Sequence, residues 1–466
     1  MMIHVERLFL ELTQDWQKEA YPEVGWEQPQ GRRGIFGAAL TLWLMMLQGM
    51  HQKSMTGVLG LIHEGFADLV LARNADSRKA RTKDIASSTG GYSRAKTRLP
   101  LVDIEDVVEV IEAGLMSRAR KDPKRFGYKV YALDGTDFVV ERTASNKEKF
   151  RPRSNQRGEL NHPELKAVFA TDIMSGVAVK PEFGAASGPE VSSEQGLSAR
   201  VIERLEDGSL ILADRGFGVF SVVSHAHRHN KQMLVRMQKN RASSFLRGNK
   251  TPINQTIDIP VSWQKSRRDQ TLDPENPESV DGRFVRVVLR RHGFRGMVLY
   301  FFTTTNLSVA DIVKLYGKRV HIETDFRYLK HTFKMERVFA KTPDALKKEL
   351  LVRMVAYNLL RRTIADGALQ VGLEPREISF TKAAMYTCIF GNKILEARDP
   401  TEKERLYAQY LKILRQCRLP KRGNPHRNEP RMVTRLHTRS TVMKGSRDTA
   451  RKSSLKQELS KNLDFV

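Results

Sequence analysis

Between residues 128 and 238 the sequence fixes an order of elements that leaves few folds open. YKVYALDGTDFVVE, ELKAVFATDI and GVAVKPEFG read as strands. SSEQGLSARVIERL then spaces its apolar residues as an amphipathic helix, SLILADRGF is an apolar strand, GVFSVVSHAHRHN a second helix and KQMLVRMQ a further strand. Strands followed by helix–strand alternation predict an α/β domain built on a mixed sheet. Asp134 and Asp214 both fall where an apolar strand gives way to glycine, in LDG and ADRG, and a turn is expected at Asp134-Gly135-Thr136. Ligands of α/β sheets gather at the carboxyl ends of strands. Two carboxylates there suit a hard cation such as Mg²⁺, which takes oxygen ligands from one or two carboxylates and from substrate phosphates. Taken singly, each aspartate is explained by turn chemistry.

The rest of the chain divides around that block. Residues 1–125 read as a helical N-terminal domain, with apolar spacings of three and four in GIFGAALTLWLMMLQGM, TGVLGLIHEGFADLVL and IEDVVEVIEAGLMSRAR. Among these helices ASSTGGYSRAKTRLP reads as a Gly-Gly turn carrying Arg94, Lys96 and Arg98 beside Tyr92. It suits either contact with a DNA backbone or a solvated linker. Residues 126–238 form the first part of the α/β core and 239–305 a β-rich insertion, with a hairpin around His292-Gly293. Residues 306–400 return to the core and continue as helices, and 401–466 read as a basic tail centred on RLPKRGNPHRNEPRMVTR. No internal repeat is visible.

Charge narrows the partner. The 466 residues carry a net charge of +26 with 40% hydrophobic residues, so the chain builds cores and faces a polyanion. Basic residues run along its whole length, which favours nucleic acid over an anionic lipid surface. Cys388 and Cys417 are too few for a disulfide framework and lack zinc-ligand spacing, so a reducing compartment is expected. The N-terminus does not read as a signal peptide. The most apolar stretch, 34–50, is shorter than a membrane span and reads as a buried helix. No membrane partner and a cytoplasmic, nucleoid-associated location are expected.

The segment from Ser308 to about Phe333 is predicted as one long helix, with Ser308 as N-cap and Asp311 at the capping-box position. At ~100° per residue, Tyr316, Arg319, Glu323, Arg327 and Lys330 share one stripe of about 80°. Leu315, Ile322, Phe326 and Leu329 flank the stripe, while Lys314, Lys318, His321 and Asp325 on the far side read as solvated. One carboxylate among three cations and a phenol, facing a cleft, suits a phosphate backbone held beside a metal. Charges pairing at i,i+4 on a structural helix explain the same pattern.

The spacing Tyr316-x2-Arg319-x3-Glu323-x6-Lys330, together with LDGTDF and ADRGF, resembles the Y-R-E-K signature of the "insertion sequence four" family of DDE transposases. The resemblance covers roughly residues 30–435. It implies a ribonuclease-H-like catalytic core interrupted by the β-rich insertion, with a helical N-terminal domain and a helical, basic C-terminal region. It further implies two Mg²⁺ ions, replaceable by Mn²⁺, held by Asp134, Asp214 and Glu323, and a homodimer assembled on terminal inverted repeats and target DNA. By the same resemblance Tyr316, Arg319 and Lys330 contact the element's terminal DNA. Trp263, the insertion's only tryptophan, aligns with a base-stacking residue or serves as a buried anchor of the hairpin sheet. Arg215, Arg236, Lys239 and Arg327 are further candidate phosphate contacts. No Ser or Tyr nucleophile is required, so Tyr316 is expected to position rather than attack. Residues from about Leu436 onward match nothing in the family. A DNA-binding copy without catalysis and a two-metal nuclease are the alternatives.

Overall fold

The computed structural model describes residues 36, 38–50, 54–61, 89–119, 124–156, 158–248, 251–269, 271–289, 297–338, 340–397, 399–420, 446, 448–449 and 452. The hairpin turn at His292-Gly293 and most of the basic C-terminal segment lie outside these residues.

The N-terminal part contributes α1 (Ala38–Met50), α2 (Met55–Leu61), α3 (Gly90–Arg98) and α4 (Leu101–Ala119). After them come β1 (Val130–Val139), α5 (Ala144–Lys149), a small hairpin of β2 (Ser154–Asn155) and β3 (Gly158–Glu159), β4 (Glu164–Asp172) and β5 (Glu182–Ala185). The alternating block is α6 (Glu194–Glu203), β6 (Leu210–Ala213), α7 (Phe220–Arg228) and β7 (Gln232–Arg236). The insertion supplies α8 (Lys239–Phe245), β8 (Ile257–Gln264), β9 (Ser279–Leu289) and β10 (Met297–Thr303). After the insertion come α9 (Val309–Tyr316), α10 (Val320–Arg327), α11 (Pro343–Gln370), α12 (Phe380–Glu396) and α13 (Pro400–Gln416).

Eight strands form one sheet in the order β5-β4-β1-β6-β7-β10-β9-β8. β1, β6 and β7 run parallel, while β4 pairs antiparallel with β1 and β5 antiparallel with β4. Among the described residues the insertion makes no sheet of its own. β10 pairs antiparallel with β7, and β9 and β8 follow, so the insertion widens the core sheet.

The central strands are buried on both faces, and their period of two sorts residues between two cores. Ala132, Leu212 and Leu234 pack with the helices α9 to α13 and with the N-terminal helices. Tyr131, Leu133, Ile211, Ala213, Met233 and Val235 pack with α6 and α7. The 28-residue α11 is buried along most of its length and packs against α1, α4, α12 and α13. Thr342 caps it, its hydroxyl oxygen accepting from Ala345 N at 3.2 Å. Each large apolar side chain sequestered in this way contributes roughly 1.5–3 kcal/mol. No helix among the described residues is long and apolar enough to cross a membrane.

Several expectations change. Asp134-Gly135-Thr136 is not a turn: β1 runs straight through it, pairing Asp134 with Phe169 and Gly135 with Val168 on β4. The glycine answers a different need, because a Cβ on Gly135 would lie 2.7 Å from Glu194 Oε1 and Cδ. ASSTGGYSRAKTRLP is neither turn nor linker at its centre but the helix α3. Tyr92 there is buried, with its hydroxyl on Gln48 Oε1 at 3.2 Å, and Lys96 pairs with Glu349 at 2.8 Å. Residues 401–416, expected in a basic tail, belong to α13, which is capped by Asp399 and buries Leu406, Tyr410 and Leu414. Trp263 is buried against Phe220, Phe245 and Phe302, with the Phe302 ring centroid at 4.9 Å. There it packs as part of the apolar face of the widened sheet.

Candidate active site

The two aspartates are brought level by sheet register. Leu133 on β1 is paired with Ala213 on the parallel β6, so the residues that follow them, Asp134 and Asp214, occupy equivalent positions on adjacent strands. They lie two residues beyond Ala132 and Leu212, on the sheet face covered by α9 to α11. β6 ends there, as expected, and an Asx turn fixes its end: Asp214 Oδ1 accepts from Gly216 N at 2.7 Å. Gly218 is forced by close approach, since a Cβ would stand 2.5 Å from the Arg236 carbonyl oxygen.

The third carboxylate arrives from the helical segment after β10. Ser308 caps it, accepting from Asp311 N at 3.1 Å and donating to Asp311 Oδ2 at 2.7 Å. The segment stays helical but is not uniform. A 3₁₀ turn at Gly317–Arg319 separates α9 from α10, and a π-helical turn at Tyr328–Thr332 follows α10. Tightening and then loosening the coil moves residues off a uniform 100° wheel. Arg319 therefore points inward and Lys330 returns to β1, while Glu323 and Arg327 between them are exposed.

Arg319 joins the cluster. Its Nη1 contacts Asp134 Oδ2 at 2.8 Å and its Nη2 contacts Glu323 Oε1 at 3.1 Å. The Glu323 pair is the i,i+4 contact that the structural reading of this helix anticipated; the Asp134 contact extends the same guanidinium across to β1. Tyr316 stacks edge-on against Phe301 of β10, ring centroids 4.8 Å apart. Burial first, and then the nearby Asp214, raise its phenol above the ordinary range against the opposing pull of Arg319 and Arg236. Burial likewise raises the Asp134 carboxyl; Arg319 opposes the shift and Asp214 adds to it. Lys330 donates to the Asp137 carbonyl at 2.9 Å and lies over the Phe138 ring at 5.5 Å. Arg236 is half-buried near Tyr316, whereas Arg215, Lys239, Arg94 and Arg98 are exposed.

Two groups escaped the sequence reading. Glu194, the first residue of α6, reaches over Gly135, and burial followed by the charges of Asp134, Asp137 and Asp214 raises its carboxyl, with Lys166 opposing. Its only sequence signal was its place after the N-cap Ser193, whose oxygen accepts from Gly196 N at 2.9 Å. Asp325, expected on a solvated face, has no exposed surface. It receives Arg361 Nη2 at 2.5 Å, Arg376 Nη1 at 2.6 Å and Arg376 Nη2 at 2.8 Å. Arg361 also donates to the Tyr357 hydroxyl at 2.8 Å and lies over Phe380 at 4.2 Å. This network pins α10, and with it Glu323, to α11 and to the end of β4.

Residues 125–359, which hold all three carboxylates, match the family model described as the transposase DDE domain. The chain belongs to the DDE transposase family. It is 24% identical over 281 residues to the transposase InsG for insertion sequence element IS4 of Escherichia coli (strain K12), covering 58% of this chain and 60% of that relative. The aligned stretch thus spans less than two thirds of the relative's length. That likeness places this DDE transposase with the IS4 kind, in agreement with its Tyr-Arg-Glu-Lys spacing. The cryo-EM structure of the piggyBac transposase synaptic complex with hairpin DNA covers 88% of this chain and 84% of its own, at 10% identity and a TM-score of 0.39.

Proposed function

We propose that this protein cuts DNA strands at the ends of an insertion sequence and joins them to another strand, with Asp134, Asp214 and Glu323 as its catalytic carboxylates. The observation that carries the reading is the convergence of the three: two lie level on adjacent parallel strands, and the third is tied to the first through Arg319. The strand order β5-β4-β1-β6-β7, with β4 alone antiparallel to the other four, supports reading the core as ribonuclease-H-like.

The donor set fits divalent metal ions of the Mg²⁺ class. All three groups offer carboxylate oxygens, as a hard cation requires, and one cationic group, the Arg319 guanidinium, already spans Asp134 and Glu323. Such ions, two Mg²⁺ by the family's pattern with Mn²⁺ as a substitute, would when bound activate the attacking oxygen and stabilise the leaving one.

The chain's own residues do the rest. Attack on a phosphodiester gathers negative charge on the phosphoryl oxygens, and Arg319 and Tyr316 stand beside the carboxylates to hold that group in line. Lys330, Arg327, Arg215, Arg236 and Lys239 extend the cationic surface along the backbone, and Arg94 and Arg98 on α3 add exposed cations elsewhere. Water attacks first and frees a 3′-hydroxyl, which then attacks a second strand. No covalent protein–DNA bond forms. We assign as partners the element's terminal inverted repeats and target DNA, with two copies of the chain bringing two ends together.

The test is marker excision from a plasmid carrying the gene's own flanking DNA as ends, with Mg²⁺, for wild type and Glu323→Gln. Release by wild type alone is expected. Release by neither, with salt-sensitive DNA binding kept by both, overturns catalysis in favour of a DNA-binding role. Cutting without regard to the ends points to a plain nuclease instead.

A further inference from the structure

The opposite face of the sheet holds a second constellation, independent of the proposed DNA chemistry. His225 and His229 stand one turn apart at the C-terminal end of α7, with ring centroids 4.5 Å apart. Glu203, the last residue of α6, faces both: its Oε1 lies 3.0 Å from His225 Nε2 and 4.0 Å from His229 Nε2. One ligand atom from each of the three residues falls within 4.8 Å of the others.

The surroundings are organised around these atoms. His225 is 1% exposed, and its Nδ1 lies 3.2 Å from Asn276 Oδ1. In the tautomer whose Nδ1 donates to that amide oxygen, Nε2 is a lone pair aimed at a carboxylate oxygen. Two acceptors at that distance need a cation between them. Such a back-hydrogen-bond is also how metal-bound imidazoles are held in the right tautomer. A proton on His225 would satisfy the pair with Glu203 but would leave His229 unexplained. His229 Nε2 is buried and has no hydrogen-bond partner. The neighbouring cations are engaged elsewhere, Arg228 with Asp273 and Glu275 and Lys231 with Asp207 at 2.5 Å.

We propose that Glu203, His225 and His229 form a Zn²⁺ site. Two imidazole nitrogens and one carboxylate suit Zn²⁺, which binds nitrogen and oxygen at roughly 2.0–2.2 Å in tetrahedral geometry. The same set is a poor match for Mg²⁺, which prefers oxygen. Water completes the fourth position. The ion ties the end of α6 to the end of α7. Through Asn276, and beside the Arg228 pairs with Asp273 and Glu275, it fastens the connection between β8 and β9 to the core. Its role is to stabilise the junction between core and insertion.

The experiment uses the full-length chain with Asp134→Asn, Asp214→Asn and Glu323→Gln, so that the proposed catalytic carboxylates do not contribute. After chelator treatment, Zn²⁺ is titrated by calorimetry, and Co²⁺ is added separately to read its tetrahedral absorption bands. One equivalent of Zn²⁺, a higher unfolding temperature and tetrahedral Co²⁺ bands are expected. His229→Gln and Glu203→Gln, at partly exposed positions where the fold tolerates change, are each expected to weaken Zn²⁺ binding at least tenfold and to abolish the bands. Absence of stoichiometric Zn²⁺ binding, or binding unchanged in His229→Gln, overturns the site.

Discussion

Replacing Asp325 by alanine removes the carboxylate that joins two buried arginines. Asp325 accepts three charge-assisted hydrogen bonds from two arginines whose side chains are themselves 4% and 12% exposed. After the change Arg361 keeps the Tyr357 hydroxyl and the Phe380 ring, and Arg376 keeps the carbonyls of Ile173 and Asp172. Arg361 loses its paired carboxylate, and Arg376 keeps only the charge of Asp172, with which it makes no side-chain ion pair among the described residues. Breaking a buried ion pair from one side costs about 3–5 kcal/mol, because the uncompensated charge stays behind. Summing the individual hydrogen bonds would overstate the loss, since the two arginines retain neutral acceptors. Urea unfolding followed by circular dichroism reads the effect as a shift of midpoint with slope unchanged; at a slope of about 2 kcal/mol/M the midpoint falls by roughly 2 M. Asp325→Asn keeps the shape but not the charge and is expected to lose most of the same stability. A loss under ~1 kcal/mol for Asp325→Ala would refute the argument, because it would mean that the arginines do not depend on this charge.

Acid should unfold the protein through the same region. Burial, and then Arg376, push the His321 imidazole down to about 4 from 6.5. Its folded value lies below its unfolded one, so the stability it contributes is present above about pH 6.5 and is lost as the pH falls through about 4. The Asp325 carboxyl, held low by Arg376 and Arg361 although burial opposes them, adds stability that fades in the same direction. Urea midpoints measured against pH should decline across that window, and His321→Gln should flatten the decline. Trp263→Ala empties a pocket between Phe220, Phe245 and Phe302 and should cost about 3–5 kcal/mol in the same assay; an unchanged midpoint would return Trp263 to a base-stacking role. Gly135→Ala drives a Cβ against the tip of Glu194, a flexible end that swings away, so the stability loss should stay at about 1 kcal/mol or less. Strand cleavage should nevertheless fall, and full cleavage would show that the placement of Glu194 beside Asp134 is immaterial.

Elements whose pattern was set locally were legible in the sequence. The strands around Asp134 and Asp214, the helices α6 and α7 and the Ser308 cap follow from periodicity and capping chemistry, and the three carboxylates followed from motif spacing. What depended on contacts between distant segments was hidden. Asp134-Gly135 reads as a turn until Glu194, sixty positions on in a different element, is seen above the glycine. Asp325 reads as solvated on a uniform helical wheel, because neither the 3₁₀ turn before it nor the arginines of α11 and of the loop after it are visible from its neighbours. The pairing of Lys96 with Glu349 of α11 joins positions far apart in the chain, and no local pattern shows it. The insertion's strands were visible, but their continuation of the core sheet rests on the β7–β10 pairing, which no local pattern encodes.

The claim at the centre of the account is that Asp134, Asp214 and Glu323 hold the catalytic metal. Crystals grown with Mn²⁺ and a DNA end, with diffraction recorded at the manganese absorption edge, locate that ion directly. The account expects anomalous density between the three carboxylates, with Arg319 moved from Asp134 to a phosphate, and no such density in Glu323→Gln crystals grown the same way. Manganese bound elsewhere, with Arg319 still bridging Asp134 and Glu323 and DNA in place, would contradict it.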